Sequence, residues 1–176
     1  MERQFFGFKY QEEFCKKHNL KEEENYTSKY DTYYKNFPCQ IKTYKNKNEL
    51  MMADPFRYLN SKDDFILVVA QRNDKNEIIR ERKVLIRNKT LQDFFYRENF
   101  KARTSYCKKL LESVSNDRKD DECFKKGMKQ EVAARKNSII NVQAKRDHKS
   151  QKRVQWAIPN RYIDKFLNMF EEIWEM

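Results

Sequence analysis

Asp31, Gln40 and Lys42 are the residues of this chain whose types and spacing could do chemistry. Gln40 and Lys42 stand two apart in the short stretch Phe37-Pro38-Cys39-Gln40-Ile41-Lys42-Thr43. In a strand, residues two apart point to the same face, so Gln40 and Lys42 share one face while Ile41 points the other way into a core. A hairpin before this strand would bring Asp31 alongside. One small site would then hold a carboxylate, an amide oxygen and an ammonium. That set suits a divalent cation and an activated water, which is hydrolytic chemistry. Taken singly, each residue has a plainer reading: Asp31 as a turn-forming Asp, Lys42 as one surface lysine among many.

The elements that must position these residues follow from periodicity. Phe5 to His18 reads as an amphipathic helix with Phe5, Phe8, Glu12 and Cys15 on one face. A carboxylate on an apolar stripe is unusual, and Glu12 reads either as a functional group or as a helix-border residue with its head in water. Glu13 stands one position away, so a small register change would exchange the two. Tyr30 to Tyr34 and Pro38 to Tyr44 form a hairpin around Lys35-Asn36. Leu50 to Leu59 reads as a short helix interrupted at Pro55. The unbroken apolar run Phe65 to Ala70 belongs to a central strand buried on both faces, and Ile78 to Ile86 returns beside it. Thr90 caps a helical region with Leu91, Phe94, Phe95 and Phe100 on its apolar side. That region continues through Tyr106 to Val114, and Cys123 to Arg135 follows as another helix. Ser138 to Ala144 and Arg153 to Ile158 are strands of a second hairpin. Asn160 then caps a last amphipathic helix reaching Trp174. This order implies one α/β (α+β) domain spanning 1–176, with a central mixed β-sheet flanked by helices.

Charge narrows the partner. The chain has 176 residues and a formal net charge of +11, with a pI near 9.4. A domain of this size and basicity meets phosphate or another anionic surface. No apolar run is long enough to span a membrane, and Met1 opens no signal-peptide pattern, so a cytoplasmic protein without a membrane partner is expected. Cys15, Cys39, Cys107 and Cys123 form no close pairs, which argues against a zinc site and fits free thiols.

The pattern formed by Glu12, the Tyr30-Asp31 pair and Gln40-Ile41-Lys42, followed by a Glu49-Leu50 segment with Asp54 and Arg57, resembles the PD-(D/E)xK nucleases. Within that superfamily it is similar to small type II restriction endonucleases. The resemblance implies a restriction-endonuclease-like fold and Mg²⁺-dependent hydrolysis of phosphodiester bonds in double-stranded DNA at a specific site. It implies Asp31 as central metal ligand, Gln40 and the carbonyl of Ile41 completing the inner shell, and Lys42 acting on the attacking water. Gln40 stands where the family has a second acid, which implies that Glu12 supplies the missing carboxylate.

Contacts to DNA follow from the neighbouring segments. Lys45 and Lys47 lie in the loop after the candidate strand and reach bases or phosphates. Asp54 and Arg57 either read bases, Asp accepting from cytosine and Arg donating to guanine, or form an ordinary surface pair. In the basic hairpin Lys145, Arg146, Lys149, Lys152 and Arg153 contact phosphates, while His148 and Gln151 are candidates for base readout. A palindromic target implies a homodimer, with the apolar helices at Leu91 to Val114 or Tyr162 to Trp174 either as its surfaces or as parts of the core, and restriction implies a cognate DNA methyltransferase. Two other readings stay open: a structure-selective repair or resolvase-type nuclease, and a non-enzymatic basic nucleic-acid-binding protein.

Overall fold

The hairpin that carries the candidate residues closes with a turn its own sequence can form. β1 (Thr32–Tyr34) and β2 (Phe37–Lys45) pair antiparallel with Tyr34 opposite Phe37. That register leaves Lys35 and Asn36 as the two turn residues, at φ 48° and φ 66°. Two left-handed residues make a type I′ turn, whose twist matches that of paired strands. The computed structural model describes residues 2–23, 29–115, 117–146 and 152–174.

β2 runs parallel to β4 (Phe65–Arg72), which pairs antiparallel with β5 (Ile78–Ile86). A two-residue strand β8 (Glu171–Glu172) covers the far edge, giving a mixed sheet in the order β1-β2-β4-β5-β8. β4 is buried on both sides, as its composition requires. Ile66, Val68 and Ala70 face a smaller cluster under α1 (Glu2–Lys17). Phe65, Leu67 and Val69 face the main core, with Trp156, Phe94, Phe100 and Phe166.

A second, antiparallel sheet in the order β3-β7-β6 joins that core; the sequence reading had one sheet. Leu50–Ala53 is its strand β3, where a helix was expected. Pro55 does not interrupt a helix but starts one, α2 (Pro55–Leu59), with Asp54 Oδ1 accepting from the Phe56 amide at 2.9 Å. Proline suits the first helical position because its missing N–H has no partner there anyway. β6 (Asn141–Arg146) and β7 (Lys152–Ile158) are the expected late hairpin.

Three further expectations shift. Thr90 lies inside α3 (Asn88–Arg97); the free Asn88 amide is met instead by Asp64 Oδ1 at 2.8 Å. The last helix, α6 (Ile163–Leu167), ends far short of Trp174, because the chain turns to pair with β5. On α1 the packed side is Tyr10, Phe14 and Cys15, whereas Phe5 and Phe8 are exposed. Burying two aromatics at i and i+4 removes more apolar area from water than a stripe that would also dehydrate Glu12. No helix among the described residues is long and apolar enough to cross a membrane.

One buried ion pair ties α4 (Phe100–Ser113) and α5 (Asp121–Ala134) to the second sheet. Arg103 grips both carboxylate oxygens of Glu131, at 2.5 and 3.0 Å, and donates to the Ile140 carbonyl at 2.8 Å. Glu131 also accepts from the Val142 amide at 3.1 Å. Arg103→Ala leaves the buried Glu131 carboxylate with only the Val142 amide and the Arg135 guanidinium at 3.9 Å, and is expected to lower stability by about 3 kcal/mol in urea denaturation, against under ~0.5 kcal/mol for the exposed control Lys101→Ala.

Candidate active site

β1 begins only at Thr32, opposite Cys39, while β2 runs on to Lys45. The edge of β2 beyond Cys39 therefore has no β1 partner. Cys39 and Ile41 both turn their backbone groups toward that edge, since alternate strand residues do. Asp31 takes the place of the absent strand. Its amide donates to the Cys39 carbonyl at 2.9 Å, and its Oδ2 accepts from the Ile41 amide at 2.6 Å. The Glu23 amide donates to the Asp31 carbonyl at 3.0 Å. The carboxylate is thus held from both ends, with the Ile41 carbonyl turned to the same edge.

Gln40 and Lys42 occupy the opposite face of β2 from Ile41, as the strand period predicts. Gln40 is buried, and its side-chain carbonyl accepts from the hydroxyl of Tyr58 on α2. The Tyr58 ring is fixed against Phe65 (centroids 6.0 Å) and Trp156 (5.1 Å). Lys42 is half-buried and has no hydrogen-bond or ion-pair partner among the described residues. Loss of water around the ammonium holds its pKa below the ordinary lysine range; the Asp31 charge works against this and the Arg57 cation adds to it. Burial pushes the Tyr58 hydroxyl up, so it stays a protonated donor.

The structure therefore brings Asp31, Gln40, Ile41 and Lys42 together, and adds Tyr58. Nothing in the sequence singled out Tyr58; the Asp54-Pro55 helix start only places it one turn into α2. Arg57 joins the rim of the cluster, where its charge acts on Lys42. Its neighbour Asp54 caps α2 and pairs with it at 4.0 Å, so Asp54 has a structural task.

Glu12 is not brought to the cluster. It is exposed and paired with Lys16 of its own helix at 2.5 Å, while Glu13 lies 3.8 Å from Lys9. The reason is topological: α1 covers the face of the sheet that carries Cys39 and Ile41, opposite to Gln40 and Lys42.

Among the described residues no group of three or more His, Cys, Asp and Glu side chains could hold a metal ion. The oxygens at hand are those of the Asp31 carboxylate, the Ile41 carbonyl and the Gln40 amide, one charge in all. That set fits Mg²⁺, which keeps most of its water, and does not fit a closed zinc site or an all-protein calcium cage.

The expected DNA contacts divide. Lys45 lies 3.8 Å from Asp74, and Lys47 is exposed in the following turn. Arg146 folds inward onto Asp121 and the ring of Phe124, with Nη1 donating to the Ser115 carbonyl at 2.9 Å. Lys152 donates to the carbonyl of Val114, the residue that ends α4. Both donate to carbonyls at or just beyond the end of α4, which fixes the hairpin to the helices; the Arg146 side chain is buried in these contacts, while Lys152 remains exposed. Lys145 and Arg153 stand opposite each other on the outer face of the ribbon. His148, Lys149 and Gln151 lie outside the described residues.

No family model, curated protein or solved structure matches the chain.

Among the described residues Lys42 carries a dehydrated charge without a hydrogen-bond or ion-pair partner, so Lys42→Met is expected to raise stability by about 1 kcal/mol at neutral pH. The native pKa is lowered, so the wild type binds fewer protons folded than unfolded. The gain from Lys42→Met is full below the native pKa of Lys42 and fades as pH rises from there toward the ordinary lysine range. Urea midpoints of both proteins between pH 6 and about 10.5 measure it; a flat difference would place Lys42 in ordinary solvent.

Proposed function

We propose that this protein is a metal-dependent endodeoxyribonuclease of the PD-(D/E)xK type, acting as a site-specific restriction endonuclease on double-stranded DNA. The observation that carries the reading is the edge of β2, where the Asp31 carboxylate is locked to the Ile41 amide on the strand that also carries the dehydrated Lys42. A restriction-endonuclease-like core agrees with the mixed sheet, its parallel β2–β4 pair and the hairpin that delivers Asp31. The charge of +11 supplies attraction for a polyanion.

In this reading Asp31, the Ile41 carbonyl and the Gln40 carbonyl would hold Mg²⁺, which when bound would supply a more acidic water and positive charge beside the phosphate. Lys42 orients the attacking water. Its depressed pKa brings it nearer to exchanging a proton at working pH, and in its charged form it stabilises negative charge building on the phosphate oxygens. Arg57 stands at the rim to meet the same phosphate.

The helices considered as dimer surfaces, α3, α4 and α6, give their apolar sides to the core. A homodimer on a palindromic target would therefore use other surfaces. A cytoplasmic location and a cognate methyltransferase belong to the same proposal.

Asp31→Asn keeps an acceptor for the Ile41 amide and removes the charge. It is expected to lower cleavage of supercoiled plasmid in Mg²⁺ by about a thousandfold, ~4 kcal/mol, while mobility-shift affinity without metal stays within about threefold. Discrete fragments only with Mg²⁺ support site specificity; a smear favours a structure-selective or nonspecific nuclease. A wild type that shifts DNA and never cuts it overturns the enzyme reading.

A further inference from the structure

We propose that Tyr58 is a positioning residue that makes the neutral amide of Gln40 serve as an oxygen ligand, by holding its carbonyl end toward the Asp31 side of the cluster. This rests on the metal-site reading above. The difficulty it resolves is chemical. A carboxylate presents oxygen whichever way it turns, whereas an amide turned by half a revolution about its last torsion presents NH₂, which no cation can use.

Tyr58 fixes that choice because it has no other outlet. The ring is buried between Phe65 and Trp156, and its backbone carbonyl is held by Gln92 Nε2 at 3.0 Å. Among the described residues the Gln40 carbonyl is the only hydrogen-bond acceptor the hydroxyl has. A buried hydroxyl without an acceptor is costly, so the amide is kept with its oxygen toward Tyr58. The Asp31 charge is felt at the same hydroxyl. The hydroxyl is bonded to the amide oxygen of Gln40, and the Asp31 carboxylate is held at the next residue of the same strand by the Ile41 amide. A carbonyl oxygen has two lone pairs, so one remains for a cation after the Tyr58 bond is made. The arrangement matches the way groups behind a metal's ligands orient them, where loss of the supporting bond lowers metal affinity by about 10–100-fold.

The test uses the full chain and Mn²⁺ as probe, with binding followed by electron paramagnetic resonance of free Mn²⁺ and cleavage of plasmid measured in parallel. Tyr58→Phe is expected to weaken Mn²⁺ binding about tenfold and to raise the half-saturating Mg²⁺ for cleavage by a similar factor. Adding Gln40→Glu to Tyr58→Phe is expected to restore both, because a carboxylate needs no orienting donor. A merely structural role for Tyr58 would not respond to Gln40→Glu, and urea midpoints report any loss of folding separately. Unchanged Mn²⁺ binding in Tyr58→Phe, or no recovery in the double variant, overturns the positioning role even if the wild type cleaves DNA. Mn²⁺ binding that is lost and recovered as described supports the positioning role even if no DNA is cut, in which case only the nuclease reading falls. A wild type that binds no Mn²⁺ and cuts nothing overturns both.

Discussion

The site depends on one backbone amide. Because β1 is only three residues long, β2 continues past it and leaves the Ile41 N–H on an unpaired edge. A backbone donor at a half-buried edge needs a partner, and the Asp31 carboxylate supplies it. The same contact does two things. It ends the sheet edge without inviting another strand to pair there, and it parks a carboxylate beside the backbone carbonyl that follows. A longer β1 would satisfy Ile41 with another backbone group and push the acid away from Lys42. The shortness of β1 is therefore what sets Asp31 against the strand bearing Gln40 and Lys42.

The alternation of β2 separates structure from chemistry. The Cys39 and Ile41 side chains face α1 and pack into the smaller apolar cluster. Gln40 and Lys42 face the other layer, where a parallel crossover must pass on its way to β4. Parallel strands cannot be joined by a tight turn, so the chain between them has room for other elements. Here it forms β3, which becomes an edge of the second sheet, and α2, which carries Tyr58 over the β2 face. Trp156 of β7 packs on that same tyrosine ring. The second sheet thus reaches the Gln40 side chain through two contacts, an aromatic one and a hydrogen bond.

Much of this was legible in the residues, and the misses have common causes. Lys35-Asn36, the apolar run of β4 and the β6–β7 ribbon are local signals, and each element forms where its own residues ask for it. The face of α1 was misjudged because Phe5 and Phe8 fit a helical stripe as well as Tyr10 and Phe14 do; only the sheet beneath decides which aromatics have something to bury against. Leu50–Ala53 is apolar and too short for period to tell strand from helix, and its pairing with β7 spans about a hundred residues. The end of α6 is likewise set by a distant partner, β5. In the site, Asp31, Gln40 and Lys42 follow from spacing within one hairpin. Tyr58 does not, since a tyrosine in a short helix has no feature that foretells a buried acceptor on another element.

Charge shows the same division between what sums and what contacts decide. Arg103, Arg146 and Lys152 hold helices to the second sheet, and Lys83 is buried against Glu81. Counting basic residues along the chain therefore overstates how many can touch a phosphate. It does not overstate the field. Arg103, Arg146 and Lys83 are matched by carboxylates, so these pairs cancel and the surplus of +11 remains on the molecule. Long-range attraction for a polyanion depends on that surplus and falls with ionic strength. Close contacts depend instead on which cations face outward: the Arg146 side chain turns inward onto Asp121, whereas Lys47, Lys152 and Arg153 are exposed. An expectation based on composition thus holds for the net charge and says little about single cations, since Arg146 turns inward onto Asp121.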